Sequence, residues 1–491
     1  MKVQFVYMGA ENLGLEYISS RLKNAGHEVG LTFDPALFYD KHYLNIDFLA
    51  RIFDATESIV NDALSARSDI IAFSVFTHNY QWALKIASLI KEKENIPIIF
   101  GGIHPTILPE KVIHNHCVDM VCIGEGEDAF VELLDSCGKN EGIKNIWFKN
   151  DKEIIKNPLR ELKDDLDSLP FPDKTLFKEY MDMKSKYTIT TSRGCPFKCS
   201  YCSLSTLREI YRGKGPFLRL RSIDNVLEEI VWAKERVNFK YVDFQDNIFT
   251  INTERMELLL EKYRKHVGLP FQCISHPRYM NSKIAKLLKK SGCCLIEIGI
   301  QSIDEFSRKH TLNRPETNAE IQRALDCCRD SRLPFQVDHI FGIPGEQEQA
   351  LIDAAEFYIK NRPQKIGCFW LSYFPQTKIV DTALEMNCIN KDDLENINDG
   401  LGKILHFGGS IKDKEKKGMI KGFEVLFKLI PVIPENFAKH MLKKRWDRYF
   451  KFFPFFIVLL IDVFASIRQR SFHSFSYMKY YFKHMARRLR T

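Results

Sequence analysis

Three cysteines follow directly on a predicted strand in the stretch Tyr187-Thr-Ile-Thr-Thr-Ser-Arg-Gly-Cys-Pro-Phe-Lys-Cys-Ser-Tyr-Cys202. Cys195, Cys199 and Cys202 have the spacing Cys-x-x-x-Cys-x-x-Cys, so three thiolates can wrap one cluster within a single loop. Three ligands for a four-iron cubane leave one iron without a protein ligand, and a catalytic metal site needs such an open position. A zinc site built from the three cysteines and a distant His or Cys is the alternative.

The alternation of strand, polar loop and helix that begins at this strand occurs six times in residues 187–374. The predicted strands are Tyr187–Thr191, Tyr241–Gln245, Phe271–Ser275, Leu295–Ile300, Phe335–Phe341 and Ile366–Tyr373. The predicted helices are Ile223–Val237, Glu254–His266, Lys283–Ser291, Asn318–Ser331 and Glu346–Lys360. Six such units predict a partial (β/α)6 barrel of the TIM type, with its chemistry on the loops that follow the strands.

Residues 1–150 also alternate strands with helices, which predicts a Rossmann-like, doubly wound parallel sheet. The predicted strands are Val3–Met8, His27–Phe33, Asp69–Phe76, Ile96–Gly102 and Met120–Gly124, and the predicted helices include Asp47–Ala66, Tyr80–Glu94 and Glu127–Ser136. The loops after such strands form a ligand crevice. The first of them lacks Gly-x-Gly-x-x-Gly, which argues against an ordinary dinucleotide site. Residues 151–186 are charged and without a sustained period, so they are predicted to be a linker.

Residues 375–491 are predicted to be mainly helical and to end in a basic, aromatic tail. The last 57 residues contain 13 Lys and Arg against 3 Asp and Glu, together with 15 aromatic residues. The basic residues of this tail include Lys443-Lys-Arg445, Arg468, Arg470 and Arg487-Arg488. Such a tail is typical of a helix that lies on anionic lipid. The alternative is that the apolar run Phe452–Ile461 packs into the enzyme and the charges only keep it soluble; the run is shorter than the ~20 residues of a spanning helix.

Composition indicates a folded, cytoplasmic chain of more than one domain. It has 491 residues, of which 45% are hydrophobic and 27% charged. The first 434 residues are almost neutral, with 58 basic and 60 acidic side chains, which argues against nucleic acid as a partner. The 13 cysteines and the N-terminus, which has no signal-peptide pattern, indicate a reducing compartment without disulfides.

Several of these motifs together resemble one enzyme family. Thr191–Cys202 resembles the signature of the radical S-adenosylmethionine (SAM) enzymes. Gly101-Gly-Ile-His-Pro105 and Gly124-Glu-Gly-Glu127 resemble the cobalamin-binding domain that precedes the radical SAM domain in one large subfamily, and Leu169-Pro-Phe-Pro-Asp173 and Gly342-Ile-Pro-Gly-Glu346 also fit. This subfamily includes radical C-methyltransferases and the anaerobic magnesium-protoporphyrin cyclase type. The resemblance covers about residues 1–380.

The resemblance implies three cofactors, namely a 4Fe–4S cluster, SAM and cobalamin. Cys195, Cys199 and Cys202 would ligate the cluster. The implied SAM contacts are Tyr201, Asp246, Asn247, Arg278, Gln301, Ser302, Gly342 and Pro344. Asn247 departs from the acidic residue that is frequent at this position, which puts its role in doubt. Asp246 could instead cap a helix, Arg278 could form a surface ion pair, and Gly342 could serve only a turn.

For cobalamin the resemblance implies contacts from the loops of the N-terminal crevice. They are Ser74, Thr77, Gly101, Gly102, Gly124, Glu125 and Gly126. The motif Asp-x-His-x-x-Gly, which would supply a histidine to cobalt, is absent. His78 and His104 are predicted to be hydrogen-bonding residues rather than cobalt ligands. A domain that keeps the fold but has an empty crevice is the alternative.

The predicted function is therefore that of a cobalamin-dependent radical SAM enzyme, and specifically a C-methyltransferase that acts on an unactivated carbon. A radical cyclase or rearrangement enzyme without net methylation is one alternative, and a non-catalytic metal- or cluster-binding protein is the other. The expected partners are a reducing electron donor and a small-molecule substrate. The apolar content after Pro375 indicates a lipid-like substrate, and residues 435–491 are expected to contact a membrane from the cytoplasmic side.

Overall fold

A computed structural model describes residues 1–40, 44–138, 142–150, 153–402, 411–469 and 479–486. Its first part is a seven-stranded sheet with the order β2-β1-β5-β6-β7-β8-β9. The strands of this part are β1 (Lys2–Met8), β2 (Glu28–Asp34), the short hairpin of β3 (Tyr39–Asp40) and β4 (Leu44–Asn45), β5 (Ile70–Ser74), β6 (Ile98–Gly101), β7 (Met120–Cys122), β8 (Ile146–Lys149) and β9 (Ile154–Lys156). The five strands from β2 to β7 in this order are parallel, as the sequence predicts.

The helices of this part cover both faces of the sheet, because alternate side chains of each strand point to opposite sides. They are α1 (Leu13–Asn24), α2 (Asp47–Ile52), α3 (Thr56–Ser65), α4 (Tyr80–Lys93), α5 (Ile103–Ile107), α6 (Pro109–Ile113) and α7 (Glu127–Asp135). Val6 and Phe73 belong to the core on one side, whereas Phe5 and Ala72 belong to the core on the other. The doubly wound architecture is therefore confirmed.

Two local features of this part differ from the sequence-based prediction. The single helix predicted over Asp47–Ala66 is wrong, because α2 ends at Ile52 and α3 begins at Thr56. In the break between them, Asp54 accepts hydrogen bonds from the backbone N and the hydroxyl of Thr56 at 2.8 and 2.6 Å. The sheet also continues through the antiparallel strands β8 and β9. The second of these lies within the stretch predicted to be a linker.

The second part is a six-stranded, all-parallel sheet in which the strands follow one another in chain order. They are β10 (Tyr187–Ile189), β13 (Val242–Phe244), β14 (Phe271–Ser275), β15 (Cys293–Gln301), β16 (Phe335–Phe341) and β17 (Lys365–Trp370), and β11 (Ser192–Arg193) pairs with β12 (Arg219–Leu220) as a separate hairpin. Among the described residues the first and last strands of the sheet are not paired, so it is an open, partial barrel. The predicted barrel class is confirmed.

The helices of this part are α8 (Ser203–Ile210), α9 (Ile223–Val237), α10 (Thr253–His266), α11 (Ser282–Lys290), α12 (Asn318–Asp330) and α13 (Glu348–Asn361). The last five have the predicted bounds within two residues, whereas α8 has no predicted counterpart. α9 starts at Ser222, whose hydroxyl accepts from the backbone N of Asn225, and ends at Asn238 in the left-handed conformation. α12 starts with a reciprocal capping box between Thr317 and Glu320.

The C-terminal region is helical in its described parts. It consists of α14 (Lys378–Glu385), α15 (Lys391–Asn398), α16 (Lys414–Leu429), α17 (Glu435–Lys443), α18 (Asp447–Phe450) and α19 (Phe455–Gln469). α16 packs against α13 and β17, and α19 packs against α16. Within the described ranges no helix has the length and apolar character needed to cross a membrane. Arg470 and Arg487-Arg488 of the predicted basic tail lie outside the described residues.

Candidate functional site

The three cysteines lie on the loop that connects β11 to α8, at the carboxyl edge of the barrel sheet. Gly194 precedes them with a φ of +88°, and a Cβ atom at this position would overlap the carbonyl oxygen of Phe217. Only glycine fits here, since both the backbone conformation and the close approach exclude a side chain. Cys199 is buried, Cys195 and Cys202 are half-buried, and Cys202 is the N-cap residue directly before α8.

A segment after β15, residues 311–314, holds this loop from the other side. The backbone N of Ser200 donates to the carbonyl of Leu312 at 3.0 Å, and its hydroxyl donates to the carbonyl of Thr311 at 2.6 Å. The amide of Asn313 donates to the carbonyl of Lys198 at 2.6 Å. The cysteine loop is therefore fixed by backbone and side-chain hydrogen bonds on both sides of Cys199.

Arg314 is a functional residue that the sequence reasoning missed. Its Nη1 lies 3.9 Å from the Sγ of Cys199 and 3.2 Å from the hydroxyl of Tyr201, and its Nη2 donates to the carbonyl of Gly299 at 2.6 Å. Its Nε pairs with the Oε1 of Glu316 at 2.6 Å, and both side chains are buried. The structure thereby brings a guanidinium beside the thiol that lies deepest in the cluster loop.

Glu316 in turn connects Arg314 to His276, whose Nε2 lies 3.2 Å from Oε2 of the carboxylate. The ring of His276 stacks on Phe197 of the cysteine loop at a centroid distance of 4.0 Å. Burial by itself would raise the pKa of Glu316, but the hydrogen bonds and charges of His276 and Arg314 lower it to about 2. The carboxylate is thus ionised at neutral pH and orients both partners.

The three thiols have raised pKa values, which matters for cluster assembly. Burial is the largest cause for each of them, and it raises the pKa of Cys202 to about 11. The thiols are therefore protonated at neutral pH, and binding of iron must release their protons. In the described part of the chain, no three His, Cys, Asp or Glu side chains are grouped closely enough to hold a single metal ion.

Asp246 and Asn247, at the end of β13, contact the backbone of the cysteine loop. Asp246 is buried and accepts hydrogen bonds from the backbone N and the hydroxyl of Thr191 at 2.9 and 3.0 Å, and from the hydroxyl of Ser192. The amide of Asn247 donates to the carbonyl of Gly194 at 3.2 Å. Helix α10 is capped by Asn252 and not by Asp246. Asp246 therefore fixes the chain just ahead of Gly194.

The remaining residues predicted to bind SAM lie at or just after the ends of β14, β15 and β16. Gln301, with a φ of +69°, lies beside Arg314 and Gly299 at a bulge of β15. Arg278 has a side chain that is 38% exposed, and it pairs with Glu320 at 3.1 Å.

Ser302 and the loop of Gly342 are engaged within their own segments. The buried hydroxyl of Ser302 accepts from the backbone N of Asp304 at 3.2 Å. Gly342, with a φ of +80°, donates its N–H to Glu346 at 2.8 Å, and Pro344 is buried in the same turn. Burial raises the pKa of Glu346 to about 7. These contacts fit the turn that the sequence offers as the alternative role of Gly342.

A cavity of about 280 Å³ lies at the crevice of the N-terminal sheet. Six of the seven residues predicted to contact cobalamin line it, namely Ser74, Gly101, Gly102, Gly124, Glu125 and Gly126. Thr190 and Arg193, from the segment that leads into the cysteine loop, also line it. The cavity therefore lies between the two parts of the molecule and is bounded by both.

Thr77 is the predicted residue that does not line this cavity. Its hydroxyl is 3.2 Å from the Nδ1 of His104, and Gly400 of the C-terminal region packs against its carbonyl. His104 is fully buried and lies 4.2 Å from the ring of Tyr80, and burial lowers its pKa to about 4. His78 stacks on Phe76. That neither histidine binds cobalt stays a prediction.

The glycines of the crevice are of two kinds. A Cβ at Gly102 would lie 2.8 Å from the carbonyl oxygen of Val75, and one at Gly124 would overlap the hydroxyl of Tyr211, so packing within the protein already requires glycine there. A Cβ at Gly101 would meet only Cys122, at 3.5 Å, and one at Gly126 would meet Cys122 and Ile18, at 3.3 and 3.4 Å. Since these two positions line the cavity, they keep its floor open to a ligand.

Glu125 and Glu127 connect the crevice to the cysteine loop through arginines that the sequence reasoning also missed. Arg193 donates to Glu125 at 3.0 Å and to Glu127 at 2.6 Å, and Arg219 donates to both carboxylate oxygens of Glu125 at 3.0 and 2.7 Å. Burial would raise the pKa of Glu125, but Arg219 and Arg193 lower it. The carboxylate predicted to contact cobalamin thus forms a bridge between the two parts of the chain.

Two family models match the two parts of the molecule. The B12 binding domain matches residues 6–134, and the Radical SAM superfamily matches residues 189–358. The chain belongs to the cobalamin-binding radical SAM family. A relative of this cobalamin-binding radical SAM protein is the uncharacterized methyltransferase PH0819 of Pyrococcus horikoshii, which is 29% identical over 394 residues, or 77% of this chain and 79% of the relative.

Solved structures have the same fold as this cobalamin-binding radical SAM protein. The methyltransferase TsrM from Kitasatospora setae, determined with cobalamin and a [4Fe–4S] cluster bound, has a TM-score of 0.61 at 16% identity and covers 79% of this chain and 75% of its own. OxsB, determined with aqua-cobalamin and SAM bound, has a TM-score of 0.65 at 16% identity and covers 92% of this chain and 71% of its own. At these identities the likeness concerns the fold.

The cofactors of this cobalamin-binding radical SAM protein are a 4Fe–4S cluster, SAM and cobalamin, as the sequence predicts. The residues present fit them chemically. Three thiols in one loop are the donor set of an iron–sulfur cluster with one open iron. Gly101 and Gly126 leave the floor of the crevice free, and the cavity is at the lower end of the volumes that take drug-sized ligands, so it would receive only part of a cobalamin.

Proposed function

We propose that this protein is a C-methyltransferase that methylates an unactivated carbon of a small molecule. The observation that supports this most is the shared cavity, since Gly101 and Gly126 of the crevice and Thr190 and Arg193 beside the cysteine loop line the same space. When bound, SAM at the cluster supplies hydrogen-atom abstraction and cobalamin supplies the methyl group. Two cofactors that act on one carbon must face one space, because proximity is what makes such a transfer efficient.

The residues of the chain have holding and orienting roles in this proposal. Cys195, Cys199 and Cys202 would hold the cluster. Arg314, ionised and kept in place by Glu316, would donate to the thiolate of Cys199 and to Tyr201. A cation so placed lowers the cost of the negative charge on a buried cluster.

The bridge of Arg193 to Glu125 and Glu127 would keep the crevice and the cysteine loop at a fixed separation. A site for two cofactors tolerates little change in that separation, because a misplacement of one reactant is costly. This proposal gives these charge pairs a positioning role and leaves the contacts to cobalamin to the backbone at Gly101 and Gly126 and to the hydroxyl of Ser74.

The C-terminal region would close the substrate side. The backbone N of Ile379 in α14 donates to the carbonyl of Ser200 in the cysteine loop at 3.0 Å, and Thr206 of α8 donates to the carbonyl of Gln376 at 3.2 Å. α14 buries Ile379, Val380 and Ala383. The apolar side chains of α14 beside the cysteine loop support the proposal of an apolar, lipid-like substrate. A reducing electron donor and membrane contact through the tail belong to the proposal on the grounds given by the sequence.

The test begins with anaerobic reconstitution of the full chain with iron, sulfide and cobalamin. We expect about four irons per chain and one bound cobalamin, with the iron lost in the variant Cys195→Ala/Cys199→Ala/Cys202→Ala and retained in the control Cys388→Ala, which changes a half-buried cysteine elsewhere. Zinc without iron would contradict the radical chemistry.

The second step uses methyl-labelled SAM and a strong reductant. Methyl label recovered with the cobalamin, together with cleavage of SAM to methionine and 5′-deoxyadenosine, supports methyl transfer. Cleavage without label on cobalamin favours a radical cyclase or rearrangement enzyme. Absence of both activities in a fully loaded protein supports a non-catalytic cluster-binding protein and overturns the proposal.

A further inference from the structure

α19 presents an apolar stripe to the outside of the molecule. Phe456, Leu459, Leu460, Phe464 and Ile467 are between 39% and 63% exposed, and their spacing of three to four residues places them on one face of the helix. Tyr449 and Phe452, just before the helix, are 68% and 74% exposed. These seven residues are here called the α19 patch.

The opposite face of α19 is already packed, so the direction of the patch is fixed. Val458 and Ile461 pack against the barrel-side core, and Ala465 is buried. The carboxylate of Asp462 pairs with Lys428 of α16 at 3.0 Å. A helix that is apolar on both faces is normally covered on both. Among the described residues, nothing covers the outer face.

The basic side chains nearest to the α19 patch along the chain are Arg448, Lys451 and Arg468. Arg468, on α19 itself, is exposed, the ammonium of Lys451 lies 5.0 Å from the centre of the Phe452 ring, and the exposed Arg448 lies 4.0 Å from Glu348 of α13.

The three acidic residues of the described range 435–469 are each engaged by a basic side chain. Glu435 pairs with Lys439 at 2.6 Å, the buried Asp447 with Arg445 at 2.8 Å, and Asp462 with Lys428. In this described range, Lys451 and Arg468 beside the patch have no acidic partner, so the charge at the patch itself is positive.

We propose that the α19 patch docks on an anionic membrane surface, with its aromatic and aliphatic side chains in the interfacial layer. Exposed aromatic residues beside cationic ones are the composition of helices that lie in this layer, and each basic residue adds attraction to anionic lipid. No helix in the described ranges spans a bilayer, so the contact is peripheral. The inference rests on the membrane contact of the proposed function, names the surface that makes it, and holds whatever reaction the site performs.

A second copy of the chain is a poorer occupant of the patch. A two-fold symmetric contact brings the same surface of both copies together. Each tail carries 13 basic against 3 acidic residues, so such a contact would oppose two cationic surfaces. Anionic lipid complements this charge, whereas a second copy repels it.

The experiment is flotation of the full-length, cofactor-loaded protein with vesicles of phosphatidylcholine alone and of phosphatidylcholine with phosphatidylserine. We expect binding to the anionic vesicles that weakens with added salt. The variant Phe452→Ser/Phe456→Ser/Leu460→Ser should reduce partitioning at least about tenfold. The variant Lys451→Gln/Arg468→Gln should reduce it about fivefold for each charge removed, and only on anionic vesicles.

The matched control is Leu258→Ser/Phe306→Ser, which removes exposed apolar side chains of 56% and 69% exposure from helical segments of the barrel. It should float like the wild type, and all variants should retain the cluster and the thermal unfolding midpoint of the wild type. Equal flotation of the α19-patch variant and the control overturns the proposal. So does a concentration-dependent dimer in sedimentation equilibrium that the α19-patch variant alone abolishes, since a second copy would then be the occupant.

Discussion

The cysteine loop and the cobalamin crevice are built on different principles, although the same cavity touches both. The loop presents side chains, namely three thiols, while Asp246 fixes the backbone just ahead of it and Arg314 contacts the thiol of Cys199. The crevice presents mainly backbone and the absence of side chains, as at Gly101 and Gly126. A metal cluster is recognised by the chemistry of its ligands, whereas a large organic cofactor is recognised by shape. The first kind of site is therefore sensitive to the identity of its residues and the second to their volume.

The most severe way to break the loop without touching a cysteine is Gly194→Ala. The added Cβ would overlap the carbonyl oxygen of Phe217, and the φ of +88° is strained for alanine, so the loop must leave its conformation. We expect iron binding after reconstitution to fall to the level of the triple cysteine variant, as measured by iron content and the visible absorption of the cluster.

Gly213→Ala is the control for this change. Gly213 has a φ of +77°, but no atom lies within 4 Å of the point that a Cβ would occupy, so the variant carries the backbone strain without the clash. It should keep its cluster at a cost of about 1 kcal/mol in stability. If both variants lose iron to the same degree, backbone strain, and not the contact with Phe217, determines whether the loop keeps its conformation.

Glu316→Gln tests the ion pairs beneath the loop. The folded-state pKa of about 2 is below the ordinary value of 4.5, so the carboxylate stabilises the fold fully above pH 4.5 and loses this contribution as the pH falls toward 2. The shift corresponds to about 3 kcal/mol at pH 7. In urea unfolding of the metal-free chain, we expect the free energy of unfolding of the variant to be lower than that of the wild type by about this amount. This difference should shrink as the pH falls below 4.5.

Glu132→Gln provides the comparison for that measurement. Glu132 pairs with Arg160 at 2.6 Å on the surface, where its side chain is 48% exposed. An exposed pair is worth at most about 1 kcal/mol. If Glu316→Gln lowers the free energy of unfolding only as much as Glu132→Gln does, or by an amount that does not change with pH, the orienting role of the Glu316 carboxylate is refuted.

Gly101→Ala should have the smallest effect of these variants, and this effect should be on cobalamin affinity and not on the cluster or the fold. Its Cβ would lie 3.5 Å from Cys122, an ordinary contact, so the fold and the cluster should be unaffected. Because the methyl group would project into the cavity, cobalamin affinity should fall about tenfold, which is about 1.4 kcal/mol. Titration with cobalamin followed by absorbance measures this, with Gly418→Ala on α16 as the control. An unchanged affinity would show that cobalamin does not use this part of the crevice.

Much of the fold could be predicted because the local signals agree with the tertiary structure. The helix Ile223–Val237 and the strands Phe271–Ser275 and Phe335–Phe341 have the predicted bounds, since apolar periodicity, caps and flanking turns point to the same limits. The strands β8 and β9 were missed because they are four and three residues long and pair antiparallel at the edge of a parallel sheet. The break between α2 and α3, in which Asp54 accepts from the backbone N of Thr56, was missed as well.

The residues of the candidate site also divide into those that local sequence signals identify and those that only the folded structure brings together. The three cysteines and the glycines of the crevice could be named from their spacing and their place after strands, and six of the seven predicted crevice residues line one cavity. Thr77 does not line it. Its hydroxyl lies 3.2 Å from the Nδ1 of His104, and Gly400, far along the chain in the C-terminal region, packs against its carbonyl. Arg193, Arg219, Arg314 and Glu316 were not named, since an arginine or a glutamate in a charged chain carries no signal of its own.

The sequence by itself determined the donor set and the order of the two folds, and the resemblance of its motifs to one enzyme family implied the cofactors. The donor set and the folds depend on spacing within a loop and on period along a strand or helix, which are local properties of the chain. Only the tertiary structure decided which charges meet, that Arg314 lies beside Cys199 and Arg193 beside Glu125, and that one face of α19 stays uncovered by the described residues. Such contacts join residues that are tens to hundreds of positions apart, and their energies arise from burial, which exists only once the chain has folded.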